Sequence, residues 1–251
     1  MTIISQATTG NFLLRRIAPD DYALIEQHLR RIALPVRRQL HEAGRTIDEI
    51  YFPEDGVVSI VAVTHDGKAC EVGLFGREGM SETATVMGTD CSPHEAYVQV
   101  AGASGLKLST SAMNAALAKS STMRLHLLKY VQAMMVQLST SIVASGQTID
   151  QRLARWLLMC HDRRDDDVLP LTQEFIGMML GVRRAGVTEA LAMLRDDGLV
   201  AQRRGTIAIL DRKGLERRAE GGYGLAEAEF ERLIGVTLRR APSAAHALVS
   251  A

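Results

Sequence analysis

The chain has 251 residues, 47% of them hydrophobic, enough for one large or two ordinary packed domains, of which two is the better expectation. Its 29 Lys and Arg are balanced by 29 Asp and Glu, so the total charge attracts no polyanion and any nucleic-acid surface has to be local. No apolar run approaches the roughly 18 residues that cross a bilayer, and the first residues, MTIISQATTG, lack a basic region followed by an apolar core, so a cytoplasmic protein with no membrane partner is expected.

In chain order, a helical pattern spans Asp20 to Leu40 and must be interrupted by Pro35. The stretch YFPEDGVVSIVAVTHDGKACEVGLFGREGM then supplies β-branched segments around Val57 to Val63 and Glu71 to Phe75, separated by HDG, a hairpin signal. AYVQVAG alternates as a half-buried strand should. Short strands at this spacing predict a small antiparallel barrel or sandwich within residues 11–119.

From Ser121 to Ser145 there is neither proline nor glycine, and Leu128, Val131, Met135, Leu138 and Ile142 recur at alternating intervals of three and four, the seam of a coiled coil. Leu127 and Met134 lie off that seam, so one face can pair with a second copy while another packs on the β domain. A helix buried inside a monomer would carry the same pattern over barely three heptads, and both readings stand for residues 120–146.

Residues 147–220 read as a second domain. Thr148 and Gln151 make a capping box for a helix over Ile149 to Cys160, which buries Leu153, Trp156 and Leu157, and an acidic loop, DRRDDD, follows. Thr172 caps a short helix through Leu180, Gly181 makes a turn, and a second helix runs from Arg183 to Asp196 until Gly198 stops it. LVAQRRGTIAIL then gives two strands around an Arg204-Gly205 turn. Helix, turn, helix and hairpin in this order is the winged helix-turn-helix plan. In residues 221–251, AEAEFERLIGVTLRR fits one more amphipathic helix and APSAAHALVSA a frayed tail.

On the second helix, Val187, Leu191 and Leu194 face the core at 100° per residue, Arg184, Thr188 and Arg195 form one shoulder, and Ala185, Glu189 and Ala192 point away. Arg184 is placed to bind guanine O6 and N7 in a major groove. Thr172, Gln173, Arg183, Arg203 and Arg204 are placed to hold phosphates. Gly186, costing about 1 kcal/mol of helix propensity against alanine, would with Ala185 leave a small-residue surface for the groove.

The three cysteines, Cys70, Cys91 and Cys160, have neither CxxC nor CxxxH spacing and are expected as buried free thiols, without disulfide or metal. His65, His94 and His126 show no HxH spacing, and His126 reads as a polar residue at a helix surface. Paired histidines with a carboxylate, a nucleophile elbow and a phosphate loop are all missing, so no enzyme, metal site or cofactor is expected.

LTQEFIGMMLGVRRAGVTEALAMLRDDGLV followed by RRGTIAILDRKGLE resembles the C-terminal winged helix of the Crp/Fnr family of bacterial transcription regulators: the helix-opening LTQE, the LGV turn, the RxxVT helix start and the RGxIxILDRxxLE wing. The likeness extends upstream through the seam helix and, more loosely, to IYFPEDG and GREGM, which resemble that family's cyclic-nucleotide-binding-type β-roll, covering about 220 residues. The resemblance implies an α+β chain: an N-terminal antiparallel β-roll, a long central dimerisation helix and a C-terminal winged helix-turn-helix. It further implies a homodimer on a two-fold duplex DNA site, with half-sites about 34 Å apart, and RNA polymerase as a candidate partner.

Departures from the family are as informative. Many members carry a glutamate and an arginine where Ala185 and Glu189 stand, so a different operator is expected. Glu189 either accepts from a cytosine amine or is a solvated acid that discourages nonspecific binding. In nucleotide-binding members a glutamate meets the ribose and an arginine-serine pair the phosphate. Aligning the GREGM turn puts Arg77, beside Glu78, at the first position and His94-Glu95 at the second, so no tight cyclic AMP binding is expected and the effector is unknown. A regulatory interaction module that has lost DNA binding is the alternative to a sequence-specific regulator.

Overall fold

The computed structural model describes residues 3–65, 67 and 69–238. The tail APSAAHALVSA and Asp66 of the HDG turn lie outside the described residues. Two short helices, α1 (Phe12–Arg15) and α2 (Pro19–Ala23), lead into β1 (Arg30–Leu34), β2 (Gln39–His41), β3 (Glu49–Pro53), β4 (Val57–Val63) and β5 (Ala69–Phe75), then α3 (Thr83–Val86), β6 (Glu95–Val100) and β7 (Gly102–Ser109). The strands form two antiparallel sheets, ordered β1-β7-β3 and β2-β6-β4-β5. Leu34, Ile50, Phe52, Val58, Phe75 and Leu106 share one core.

The helix expected over Asp20 to Leu40 forms only as α2, which stops at Ala23, and Arg30–Leu34 pairs with β7, Arg30 opposite Lys107 and Ile32 opposite Gly105. A short mixed run fits either period, and the partner strand decides. Pro35 opens the turn to β2, in which Arg37 takes a positive φ of 66°. The hairpin of β4 and β5 forms where the β-branched segments place it, with Val58 opposite Phe75.

After α4 (Thr110–Lys119), which the sequence reading missed, Ser120 caps α5 (Ser121–Ala144) by accepting from the Met123 amide at 3.0 Å. Leu127, Tyr130, Val131 and Met134 bury into the β core, whereas Leu128, Met135 and Ile142 are 39%, 59% and 74% exposed and Leu138 is half-buried. The seam residues thus divide: Val131 belongs to the core and three others face outward.

The capping box of Thr148 and Gln151 opens α6 (Ile149–Asp162), with Leu153, Trp156 and Leu157 buried. A short strand, β8 (Val168–Leu169), joins the expected α7 (Gln173–Leu180), α8 (Arg184–Asp196), β9 (Val200–Arg203) and β10 (Thr206–Ile209) as a sheet of order β8-β10-β9. Then come α9 (Arg212–Arg218) and α10 (Leu225–Ile234). The latter returns to lie along α5, where Phe230 and Ile234 complete the first core.

The two halves are not separate bodies of packing: the core of the second takes in Val57, Leu74 and Val100 from the strands. DRRDDD is only partly a solvated loop, because Asp162 ends α6 and both it and Arg163 are buried. Arg163 pairs with Glu78 at 2.6 Å, Arg77 with Asp165 at 2.7 Å, and the Trp156 indole donates to Glu71 at 2.8 Å. Charges buried this deeply need partners, which here come from across the junction and are not shown by the sequence.

Candidate nucleic-acid interface

Thr172 accepts from the Phe175 amide at 3.3 Å and so fixes the start of α7. Gly181 ends it in the left-handed region at φ 64°, a conformation a side chain would strain, and the Val182 amide closes the turn on the Gly177 carbonyl at 2.9 Å. From α6, an Arg152 guanidinium nitrogen donates to the Leu180 carbonyl, a support the sequence did not reveal. Arg183 then stands at the N-cap of α8 in an extended conformation.

Val187, Ala190, Leu191 and Leu194 anchor α8 in the core, which leaves Arg184, Ala185, Thr188 and Glu189 exposed on one N-terminal surface. Gln173 and Thr188 are brought together: the Thr188 hydroxyl lies 3.0 Å from Gln173 Oε1 and 3.1 Å from the Arg184 carbonyl. Arg203 and Arg204 stand exposed at the hairpin tip, where Gly205 has φ 75°. Among the described residues, none of Arg183, Arg184, Glu189, Arg203 and Arg204 is held by an internal ion pair. They are free to meet a ligand that carries both phosphates and base edges.

Gly186 plays another part than the one read from sequence. It is half-buried, and a Cβ on it would lie 2.9 Å from Ile149 Cδ1. The missing side chain lets α8 approach the start of α6, and the small surface turned to solvent is that of Ala185.

The four residues assigned to an effector pocket separate. Arg77 and Glu78 are buried in the junction with the second half, held by Asp165 and Arg163. His94 and Glu95 line a cavity of about 330 Å³ enclosed by strands of the β2-β6-β4-β5 sheet, the segment around α3, and α5. The carboxylate that does line it with them is Glu82, five residues after Arg77; placing it required the path of the turn after β5, which residue spacing does not give. Ile60, Phe75, Met80, Met134 and Leu138 dominate the walls, and no Lys or Arg is among the described residues lining it. Cys91 lies on the wall and is exposed, as is Cys70; only Cys160 is buried, correcting the expectation for all three. His126 Nε2 lies 3.1 Å from the Leu13 carbonyl, where α5 meets α1.

Glu82 is 9% exposed, adopts a left-handed φ of 61°, and its nearest basic group is His41 Nδ1 at 3.8 Å. Burial pushes its carboxyl up to about 7 and holds the His41 imidazole below its usual value, so neither charge supports the other strongly. A folded-state value above the unfolded one means that this group favours folding below the usual glutamate range and loses that contribution as pH rises through about 7. Glu82→Gln is therefore expected to flatten the decline in melting temperature between pH 5 and pH 8, measured by thermal denaturation across that window. An unchanged decline would remove Glu82 as its source.

Residues 151–218 match the family model of the Crp-like helix-turn-helix domain. The chain is similar in fold to a Crp-family transcriptional regulator of Thermus thermophilus, at 20% identity over 76% of this chain and 96% of that one, with a TM-score of 0.61. It is also similar to FixK2 of Bradyrhizobium japonicum, at 17% identity over 75% and 96% with a TM-score of 0.63. A third similar structure is CLP, the c-di-GMP-responsive global regulator of Xanthomonas campestris, at 17% identity over 77% and 100% with a TM-score of 0.55. A comparison with curated proteins finds no match. At these identities the structures establish likeness of fold, and the helix-turn-helix match establishes the class of domain. The chain is thus a helix-turn-helix protein of α+β architecture. Residues 151–218 are of the Crp-like helix-turn-helix class, and the fold around them is like that of Crp/Fnr regulators. No helix among the described residues is long and apolar enough to cross a membrane.

Proposed function

We propose that the protein is a sequence-specific DNA-binding transcription regulator that acts as a homodimer along α5, in the cytoplasm, without an enzymatic activity or cofactor of its own. The observation that carries this is the exposed N-terminal surface of α8, with Arg184 beside Thr188 and Glu189, flanked by Arg183 and the arginines of the hairpin tip. Arg184 reads a guanine, and Thr172, Gln173, Arg183, Arg203 and Arg204 hold the backbone.

The dimer rests on Leu128, Met135 and Ile142, which are joined on the outward side of a 24-residue helix by exposed Leu125 and Val143. An apolar surface of this kind on α5 calls for a partner, and a second copy offers the same stripe. Val131, Met135 and Leu138 also line the cavity, so its contents bear on the seam that sets the spacing of two recognition helices. The cavity is the effector site in this reading, with His94, Glu95 and Glu82 in place of Arg77 and Glu78. Cyclic AMP does not switch it, because its phosphate would meet Glu82 and Glu95 with no arginine or lysine among the described residues of the wall. RNA polymerase is a further partner on the promoter.

Filter binding to a duplex of the gene's own upstream region tests this reading. Arg184→Ala is expected to weaken specific binding by about 1 to 3 kcal/mol, whereas Arg203→Ala with Arg204→Ala mainly flattens the salt dependence. Absence of specific binding by the unaltered protein at low salt would instead favour the interaction module, to which the uncompensated Glu189 on α8 already points.

A further inference from the structure

We propose that the cavity between the β2-β6-β4-β5 sheet and α5 takes a small, mainly apolar ring compound that presents one N–H donor, best a protonated amine, to Glu82. The assignment rests on the reading of this cavity as the effector site and adds the chemistry of the ligand. At about 330 Å³ the space is at the small end of ligand pockets, enough for about one or two fused rings. Ile60, Phe75, Met80, Met134 and Leu138 give it apolar walls whose contact with water is unfavourable, and the four methionines of the lining, Met80 and Met134 with Met87 and Met135, can shape themselves to a flat ring.

The polar end is set by Glu82. Its side chain makes no hydrogen bond among the described residues, and His41 is too distant at 3.8 Å to make one. With no protein donor, what exposure the 5% exposed side chain keeps is to the cavity, where a ligand donor would take the place of water, and its left-handed backbone adds strain of the kind that accumulates at ligand sites. Burial has raised its affinity for a proton, which is the same preference for a positive partner that an ammonium group would satisfy. Glu95 on the wall adds a second negative group, and the lining holds no lysine or arginine among the described residues, so phosphates and carboxylates are disfavoured. Charge and shape therefore select an apolar base over a nucleotide.

Isothermal titration calorimetry of the full chain with tryptamine, indole, indole-3-acetate and cyclic AMP tests this. Tryptamine is expected to bind at least tenfold more tightly than indole-3-acetate, with indole between them and cyclic AMP silent. Ala84→Phe, which fills the cavity from its α3 wall, should abolish the tryptamine heat, and Glu82→Gln should bring tryptamine down to the level of indole. Should Ala84→Phe not fold by circular dichroism, Ala96→Leu fills the same space from β6. Indole-3-acetate or cyclic AMP binding as tightly as tryptamine overturns the proposal. So does tryptamine binding that survives cavity filling, or the absence of any tryptamine heat up to millimolar concentration. Filter binding with and without tryptamine separates the two claims. DNA binding without tryptamine binding overturns the ligand chemistry alone, and tryptamine binding that leaves DNA affinity unchanged supports the chemistry while removing the effector role.

Discussion

Glu78→Ala is expected to lower folding stability by about 3 to 5 kcal/mol, because it leaves the buried Arg163 guanidinium without its hydrogen-bonded carboxylate. The two side chains are 3% and 1% exposed, Arg163 Nη2 lies 2.6 Å from Glu78 Oε1, and Nε donates to the same oxygen at 2.8 Å. The other Arg163 hydrogen bond, to the Met159 carbonyl at 2.7 Å, satisfies one nitrogen, while Asp162 and Glu227 favour its charge without forming an ion pair with it. Urea denaturation of the single variant and of the joint replacement Glu78→Leu with Arg163→Met measures the effect. The joint variant should recover most of the loss, since apolar groups of similar volume replace a buried pair at little cost. An equal loss in both would show that shape rather than charge is at stake. The pair lies between the turn after β5 and the end of α6, so it contributes to the junction that joins the two halves.

Met135→Glu together with Ile142→Glu is expected to leave the fold intact and to abolish the dimer. Both side chains are more than half exposed in the single chain, where surface substitutions change stability by about 0.5 kcal/mol or less. Across a two-fold seam each new carboxylate would meet its own copy in an apolar surface, where like charges repel strongly. Sedimentation equilibrium should give the monomer mass, and affinity for a two-fold DNA site should fall by at least about a hundredfold, because each subunit then binds its half-site without the gain of linkage. A variant that keeps the dimer mass would move the interface elsewhere on the molecule.

The helix-turn-helix half was legible in the sequence because its signals are local. Thr172 before α7, Gly181 after it and Gly198 after α8 are caps with fixed geometry, and Val187, Leu191 and Leu194 keep a helical period. The β4 and β5 hairpin was legible for the same reason. What escaped was decided at long range. Arg30–Leu34 became a strand through β7, β8 formed only because β10 lies beside it, and α10 found its place along α5. Asp162 and Arg163 looked solvated because their partners are distant in sequence. Arg77 stood in for Glu82 because counting along the chain does not reveal how the turn after β5 folds. That Gly186 also faces Ile149 escaped because that neighbour lies on another helix.

The central claim, a dimer that reads DNA through α8, is tested most directly by selecting bound duplexes from a random pool with the unaltered protein and with Glu189→Ala. Enrichment of a two-fold symmetric site whose half-sites lie about 34 Å apart is expected. Glu189→Ala should shift the preference at one base position in each half-site, the position where a cytosine amine meets the carboxylate. A pool that stays random under the unaltered protein would contradict the claim.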